Sequence, residues 1–444
     1  MSSDRDANLI YQLDCISLAA ACNRANFDEL WQSFELQSRD EGWLDRWRKL
    51  RIGRASVRFT TEPAGLASHP LDLPLHRENV SEPSLSAEEY AILARFSKRF
   101  DRWWLSRANE HGLRMSRGLK HQAARARLPE KLEALANFYR IDELNAADVS
   151  VELISAPAHS SLATHAEIRG SDAYLETLIG ETASARIGVL AHELAHYYYA
   201  NTHAELRLDT RRWFLENENF WAITAYSLFN EAIAAAFGNG LIEQDLNSKE
   251  RFAQLLQLPE SFYADTYVDL AAKACLPLLR EYLSEGRALD KAFVDRYIAA
   301  VRPALDSHMG DLGLWLRNSV YGATSATLEP LSAQVHGYFR TGAFLSERLD
   351  YGCQDTCLMQ VYPELSGILV TRTNRLDQLA DLVPSAELTR IRREILLNGH
   401  AVFGLQRSPR SLVFIVSGDT DSAVEAGLQR LLRNGQIFVG LLES

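Results

Sequence analysis

The spacing of apolar residues divides the chain into three stretches. Up to residue 145 the period is helical. Ser86-Ala87-Glu88-Glu89 reads as a capping box, in which a hydroxyl and a carboxylate satisfy backbone donors at a helix start. Tyr90, Leu93, Ala94, Phe96 and Phe100 follow at roughly the spacing of one buried helix face. A second helix is predicted from Pro129 to Tyr139. Residues 62–84 hold four of the thirteen prolines and predict an irregular connection. From Val149 the period drops to two: Val149–Ile154, Ala163–Ile168 and Tyr174–Ile179 read as short strands separated by turns at 157–160 and 170–172. A helix is expected from about Thr182 to Asn201, and helical spacing continues to about residue 347.

The last eighty or so residues change pattern again. Strands are predicted at Gly367–Arg372, Ala401–Gln406, Ser411–Ser417 and Gln436–Leu442. Helices are predicted at Ser385–Leu397 and from a Ser422-x-x-Glu425 cap to Arg433, ended by Asn398-Gly399 and Asn434-Gly435. The order βαββαβ predicts a ferredoxin-like split arrangement.

Chemistry concentrates at residues 189–199, Val-Leu-Ala-His-Glu-Leu-Ala-His-Tyr-Tyr-Tyr. His192 and His196 are four apart, so on a helix both imidazoles share one face and can reach one Zn²⁺. Glu193 is placed to take a proton from a metal-activated water. A chance H-E-x-x-H in a chain of this composition arises roughly two times in a hundred. A mostly apolar helix directly after short strands is not the usual setting of such an accident.

Zinc needs a third protein ligand. The H-E-x-x-H-x-x-G-x-x-H solution fails, because Tyr199 and Thr202 stand where Gly and His are required and the nearby His203 is out of register. Glu205, Asp209, Glu216 and Glu218 lie in a polar stretch where carboxylates are more simply solvated. Glu231 is the one charged residue between Trp221 and Phe237. A helix apolar all round is buried, and a buried carboxylate is costly unless paired or bound to a metal. The competing reading is a core Glu paired with an arginine from another helix.

At these residues the chain resembles the gluzincin branch of zinc metallopeptidases, the thermolysin- and aminopeptidase-like superfamily. The resemblance rests on His192-Glu193-Leu194-Ala195-His196, on Asn230-Glu231-Ala232-x-x-Ala235, and on the predicted strands at 149–179. It implies zinc held by His192, His196 and Glu231, with Glu193 as general base. The Asp that thermolysin-like members often carry four residues after the ligand Glu is Ala235 here, so the partner of a ligand histidine is not identified. The stretch from His336 to Ala343 is similar to the Y-x-x-G segment that supplies an oxyanion-stabilising Tyr in zinc aminopeptidases. Alignment on Gly342 puts Phe339 in that place rather than Tyr338; for Tyr338 and His336, core packing is the simpler reading.

Composition narrows the rest. A charge of -11 over 444 residues disfavours nucleic acid and anionic membrane as partners. The basic residues Arg114, Arg117, His121 and Arg125 are then better read as a solvated face. No stretch is long and apolar enough to span a bilayer. Five cysteines, an odd number, fit a reducing compartment better than a disulfide framework, and Cys353 and Cys357 lack the companions of a second zinc site. His159 and His165 read as turn or surface residues. The expectation is an α+β protein with a helical N-terminal region (1–145), a gluzincin-like zinc core of small sheet plus helices (146–350) and a ferredoxin-like C-terminal domain (360–444). It would act as a zinc-dependent peptidase on peptide or protein substrates, with peptide laid along an edge strand. The alternative is a metallopeptidase-like binding scaffold with little or no catalysis. The location is cytoplasmic if Met1 is the native start, or exported if a signal has been removed; the oligomeric state is open.

Overall fold

The computed structural model describes residues 4–17, 27, 30–31, 38–57, 85–141, 149–157, 166–169, 172–339, 343–349 and 357–442. The predicted connection at 62–84 and both His159 and His165 lie outside them. Among the described residues, the helices with defined bounds before the first strand are α1 (Arg5–Ile16), α2 (Ser38–Val57), α3 (Ala87–Trp103), α4 (Asn109–Arg125) and α5 (Leu128–Phe138). Asp4 caps α1 by accepting from the backbone N–H groups of Asp6 and Ala7. The capping box at α3 is formed in both directions, Glu89 N–H to Ser86 Oγ and Ser86 N–H to the Glu89 carboxylate. A single π-turn, Trp104–Ala108, joins α3 to α4.

Strands β1 (Ser150–Ala156), β2 (Ala166–Arg169) and β3 (Asp172–Leu178) form a small sheet in the order β1-β3-β2, with β1 parallel and β2 antiparallel to β3. The two-residue period separates two cores. Val151, Leu153, Ala173 and Leu175 face the core of the central helices, whereas Ile154 and Ala156 face the N-terminal helices. The outer edge of β1 is closed by α1: Asn8 donates to Leu153 O at 2.9 Å and accepts from Ser155 N at 2.8 Å, as a neighbouring strand would. The outer edge of β2 carries no such cover among the described residues.

A 3₁₀ turn (Ala183–Ala185) leads into α6 (Ile187–Ala200), against which β2 and β3 lie. There follow α7 (Ala204–Glu216), α8 (Ala222–Ala235) with its π-helical continuation Ala236–Ile242, α9 (Lys249–Gln257), α10 (Thr266–Ser284) and α11 (Lys291–Asp306). These helices bury one large apolar core, to which α8 contributes nine of its fourteen residues.

The predicted run of helix to residue 347 is interrupted. Asn318–Ala323 forms β4 and Ala343–Arg348 forms β5, on either side of α12 (Ser332–Phe339). All six residues of β4 are buried, so it lacks the polar alternation that marks a half-exposed strand. The C-terminal elements occur in the expected order: β6 (Ser366–Arg372), α13 (Ser385–Asn398), β7 (His400–Ser408), β8 (Ser411–Gly418), α14 (Asp421–Asn434) and β9 (Gly440–Leu441). Thr420, not Ser422, caps α14.

Their pairing is not the ferredoxin-like one. The sheet has six strands in the order β5-β4-β6-β8-β7-β9; β6 runs parallel to β8, and β9 pairs with β7. The place beside β6 that a fourth ferredoxin strand would take is held by β4, in parallel. The reason is burial. Val320, Leu369, Phe403, Val413 and Ile415 complete the core of the central helices, while Tyr321, Ile368, Val402, Phe414 and Val416 face α14. A strand buried on both faces is seldom left at a sheet edge, and the segment before residue 350 supplies β6 with its second neighbour, β4, opposite β8. The boundary drawn at 350–360 therefore runs through one sheet.

Among the described residues no helix is long and apolar enough to cross a membrane. Cys275 is buried and free, but Cys15 and Cys357 are disulfide-bonded.

Candidate metal centre

His192 and His196 lie one turn apart on α6, on the side turned to α8. Their Nε2 atoms point at each other, 2.9 Å apart. Glu231 on α8 brings its Oε2 to 3.4 Å from each. One ligand atom from each of the three side chains lies within 4.8 Å of the others. His192 is buried, and the Glu231 side chain is only 25% exposed. Glu231 Oε2 and both Nδ1 atoms are buried without a hydrogen-bond partner among the described residues. Buried polar groups are ordinarily satisfied, and a carboxylate oxygen without a partner at the point where two Nε2 atoms converge needs an explanation.

Two glycines let the helices come this close. Gly238, in the π-helical continuation of α8, lies backbone to backbone on α6. A Cβ there would stand 2.3 Å from Gly188 O and 2.6 Å from His192 N. A Cβ on Gly188 would meet Asn239 Oδ1 at 2.5 Å. At Gly238, where the facing atoms are backbone, only glycine permits this approach. The π-segment itself is of a kind that occurs frequently at functional sites.

Electrostatics follow from the crowding. Burial works against an imidazolium at His196, but the carboxylates of Glu231 and Glu193 outweigh it and push the ring up to about 9. Burial opposes ionisation of Glu231 as well; the two imidazoles win and hold its carboxyl well below the usual range.

Tyr263, in the segment between α9 and α10, stacks on the His192 ring with centroids 5.5 Å apart and planes at 21°. Its hydroxyl is pushed far above its ordinary pKa by burial and then by the charges of Glu231 and Glu193, so it stays a donor. The sequence carries no sign of this residue. It belongs to no motif, and the local signal two residues later, Asp265-Thr266, marks only a helix start.

The other candidates lie elsewhere. Glu205 and Glu216 are exposed on α7, Asp209 pairs with Arg212 at 2.8 Å, and Glu218 is exposed beyond that helix. His336 is exposed on α12, whose Gln334 bonds Glu425 of α14; it is not part of the cluster. The side chains of Tyr338 and Phe339, like Cys353, lie outside the described ones. Arg114, Arg117, His121 and Arg125 are exposed on α4, with Arg114 paired to Glu110 and Arg125 to Gln122. Comparison with family models, curated proteins and solved structures finds no match to this chain.

Proposed function

We propose that the chain is a zinc-dependent peptidase of gluzincin type, with zinc held by His192, His196 and Glu231. The observation that carries the reading is the convergence of two Nε2 atoms and one carboxylate oxygen, the last without a hydrogen-bond partner among the described residues. Two nitrogens and one oxygen are the donor set of catalytic zinc sites that keep a fourth position open. Bound there, zinc would supply a Lewis acid and an acidified water.

The chain's own residues have separable tasks. Glu193 takes a proton from the attacking water and hands it to the leaving amine nitrogen. Tyr263, kept protonated by its surroundings, donates its hydroxyl to the oxygen that gains charge as the carbonyl becomes tetrahedral. The outer edge of β2, the strand that borders α6, offers backbone groups to an extended peptide, whereas the β1 edge is occupied by Asn8.

The test is metal analysis joined to one substitution. Purified protein should hold one zinc per chain. Glu193→Gln should keep that zinc and lose at least ~100-fold in turnover of any cleaved peptide. Equal zinc content in wild type and His192→Ala would remove the metal assignment. Wild-type turnover by Glu193→Gln would remove the mechanism.

A further inference from the structure

We infer that Arg317, acting through Asp265, is a positioning residue that holds Tyr263 over the His192 ring. The segment that carries Tyr263 is fixed on both sides. Upstream, the buried Asp269 carboxylate accepts from Glu260 N at 3.1 Å and Phe262 N at 2.8 Å, and Lys273 neutralises it at 2.7 Å. Asn239 donates to Phe262 O at 2.6 Å, tying the segment to the π-turn that lies on His192.

Downstream, Asp265 divides its two oxygens. Oδ1 caps α10 by accepting from Tyr267 N and Val268 N, at 3.0 and 3.1 Å. Oδ2 takes Arg317 at 2.8 Å. The two side chains are only 5% and 10% exposed. Arg317 directly precedes β4, whose backbone is locked between β5 and β6. The anchor for Tyr263 is therefore the six-stranded sheet.

Stability alone is a weak reason for this pair. Burying two charges is seldom better than burying apolar groups of the same size. Arg317 Nε, moreover, has no hydrogen-bond partner among the described residues. What the pair does supply is a direction and a length, two residues from a ring that must lie flat on an imidazole.

The inference rests on the peptidase reading only for what Tyr263 does; where the ring sits can be measured without zinc. In metal-free protein with labelled histidines, the stacked tyrosine shifts the His192 ring protons by its ring current, and Tyr263→Leu defines the full loss of that shift. Arg317→Met should move the His192 resonance most of the way to the Tyr263→Leu position, and Arg317→Lys less far. His111, bonded to Thr177 on the small sheet, should not move. If Arg317→Met does not fold, Asp265→Ser/Arg317→Met keeps a helix-capping side chain, leaves no unpaired buried charge, and should give the same displacement. A folded variant with the wild-type His192 resonance overturns the inference, whatever the zinc content. In zinc-loaded protein Arg317→Met should lower kcat ~10- to 100-fold at little changed KM, with no further loss when combined with Tyr263→Phe. Additive losses would also overturn it. Failure of this kinetic arm for want of any cleaved peptide, with the resonance displaced, would count against the peptidase reading and leave the positioning role standing.

Discussion

Two buried carboxylates, Asp14 and Glu231, are treated in opposite ways. Asp14 accepts from Trp47 Nε1 at 2.8 Å and from Arg51 Nε and its terminal nitrogen at 3.0 and 2.9 Å. Every strong partner a carboxylate wants is present, and the side chain is 2% exposed. Glu231 is pressed against two imidazoles at 3.4 Å, and its inner oxygen accepts no hydrogen bond. Asp269 follows Asp14, with two backbone donors and a lysine. Saturation marks a carboxylate that holds the fold together. Incomplete satisfaction beside two other electron-pair donors is the feature on which the proposed zinc site rests.

The comparison breaks most readily at Asp14. Asp14→Asn leaves Arg51 buried without its counter-charge and should cost about 3–5 kcal/mol of stability, with zinc affinity unchanged. Denaturant melts and a zinc titration read the two effects separately. Glu231→Gln should do the reverse: zinc affinity falls by at least ~100-fold, more than is typical for loss of an outer partner of a ligand, while the metal-free melt falls only by the about 2–4 °C that loss of the His196 pairing costs. If Glu231→Gln proved as destabilising as Asp14→Asn with zinc retained, the distinction would fail.

Gly238→Ala comes next. The added methyl must push α8 away from α6, for about 1–3 kcal/mol of strain, and zinc affinity should fall with the ligand geometry. A variant with unaltered zinc affinity would show that the close approach of the helices does not set the site.

The smallest effect is in pH. The His196 pKa is raised from 6.5 to about 9, so in metal-free protein its pairing stabilises fully below pH 6.5 and is lost as pH rises through about 9. Glu231, whose pKa is depressed, contributes above its ordinary range and loses that contribution only in acid. The metal-free protein should therefore melt about 2–4 °C lower at pH 9 than at 6.5. Stabilisation by zinc should grow over the same window, because the metal needs the imidazole neutral. A flat profile without metal would mean that His196 and Glu231 are not coupled.

How much of this was legible beforehand varies with the range of the cause. His192, His196 and Glu231 could be brought together from helical spacing and one charge in an apolar run, because those signals are local. The capping box at Ser86 and the order of the C-terminal elements were local too. Tyr263 was not legible, since what gives it meaning is Asp269, Asn239 and Arg317, which lie far apart in sequence from one another. The ferredoxin-like pairing failed for the same reason. Element order is local, but whether β4 or β9 lies beside β6 is decided by which faces need covering, and β4 has no polar face to announce it.

The entry of β4 and β5 into the C-terminal sheet has a consequence for how the molecule comes apart. Cutting the chain near residue 355 would leave β4 without its β6 partner on one fragment and strip a fully covered strand bare on the other. Neither product keeps a closed hydrogen-bond ladder, and the interior that Val320 and Leu369 share with the central helices would be opened to water on both. The last eighty or so residues are therefore no detachable cassette. A calorimetric scan should show them melting in one transition with the helices that hold His192 and Glu231.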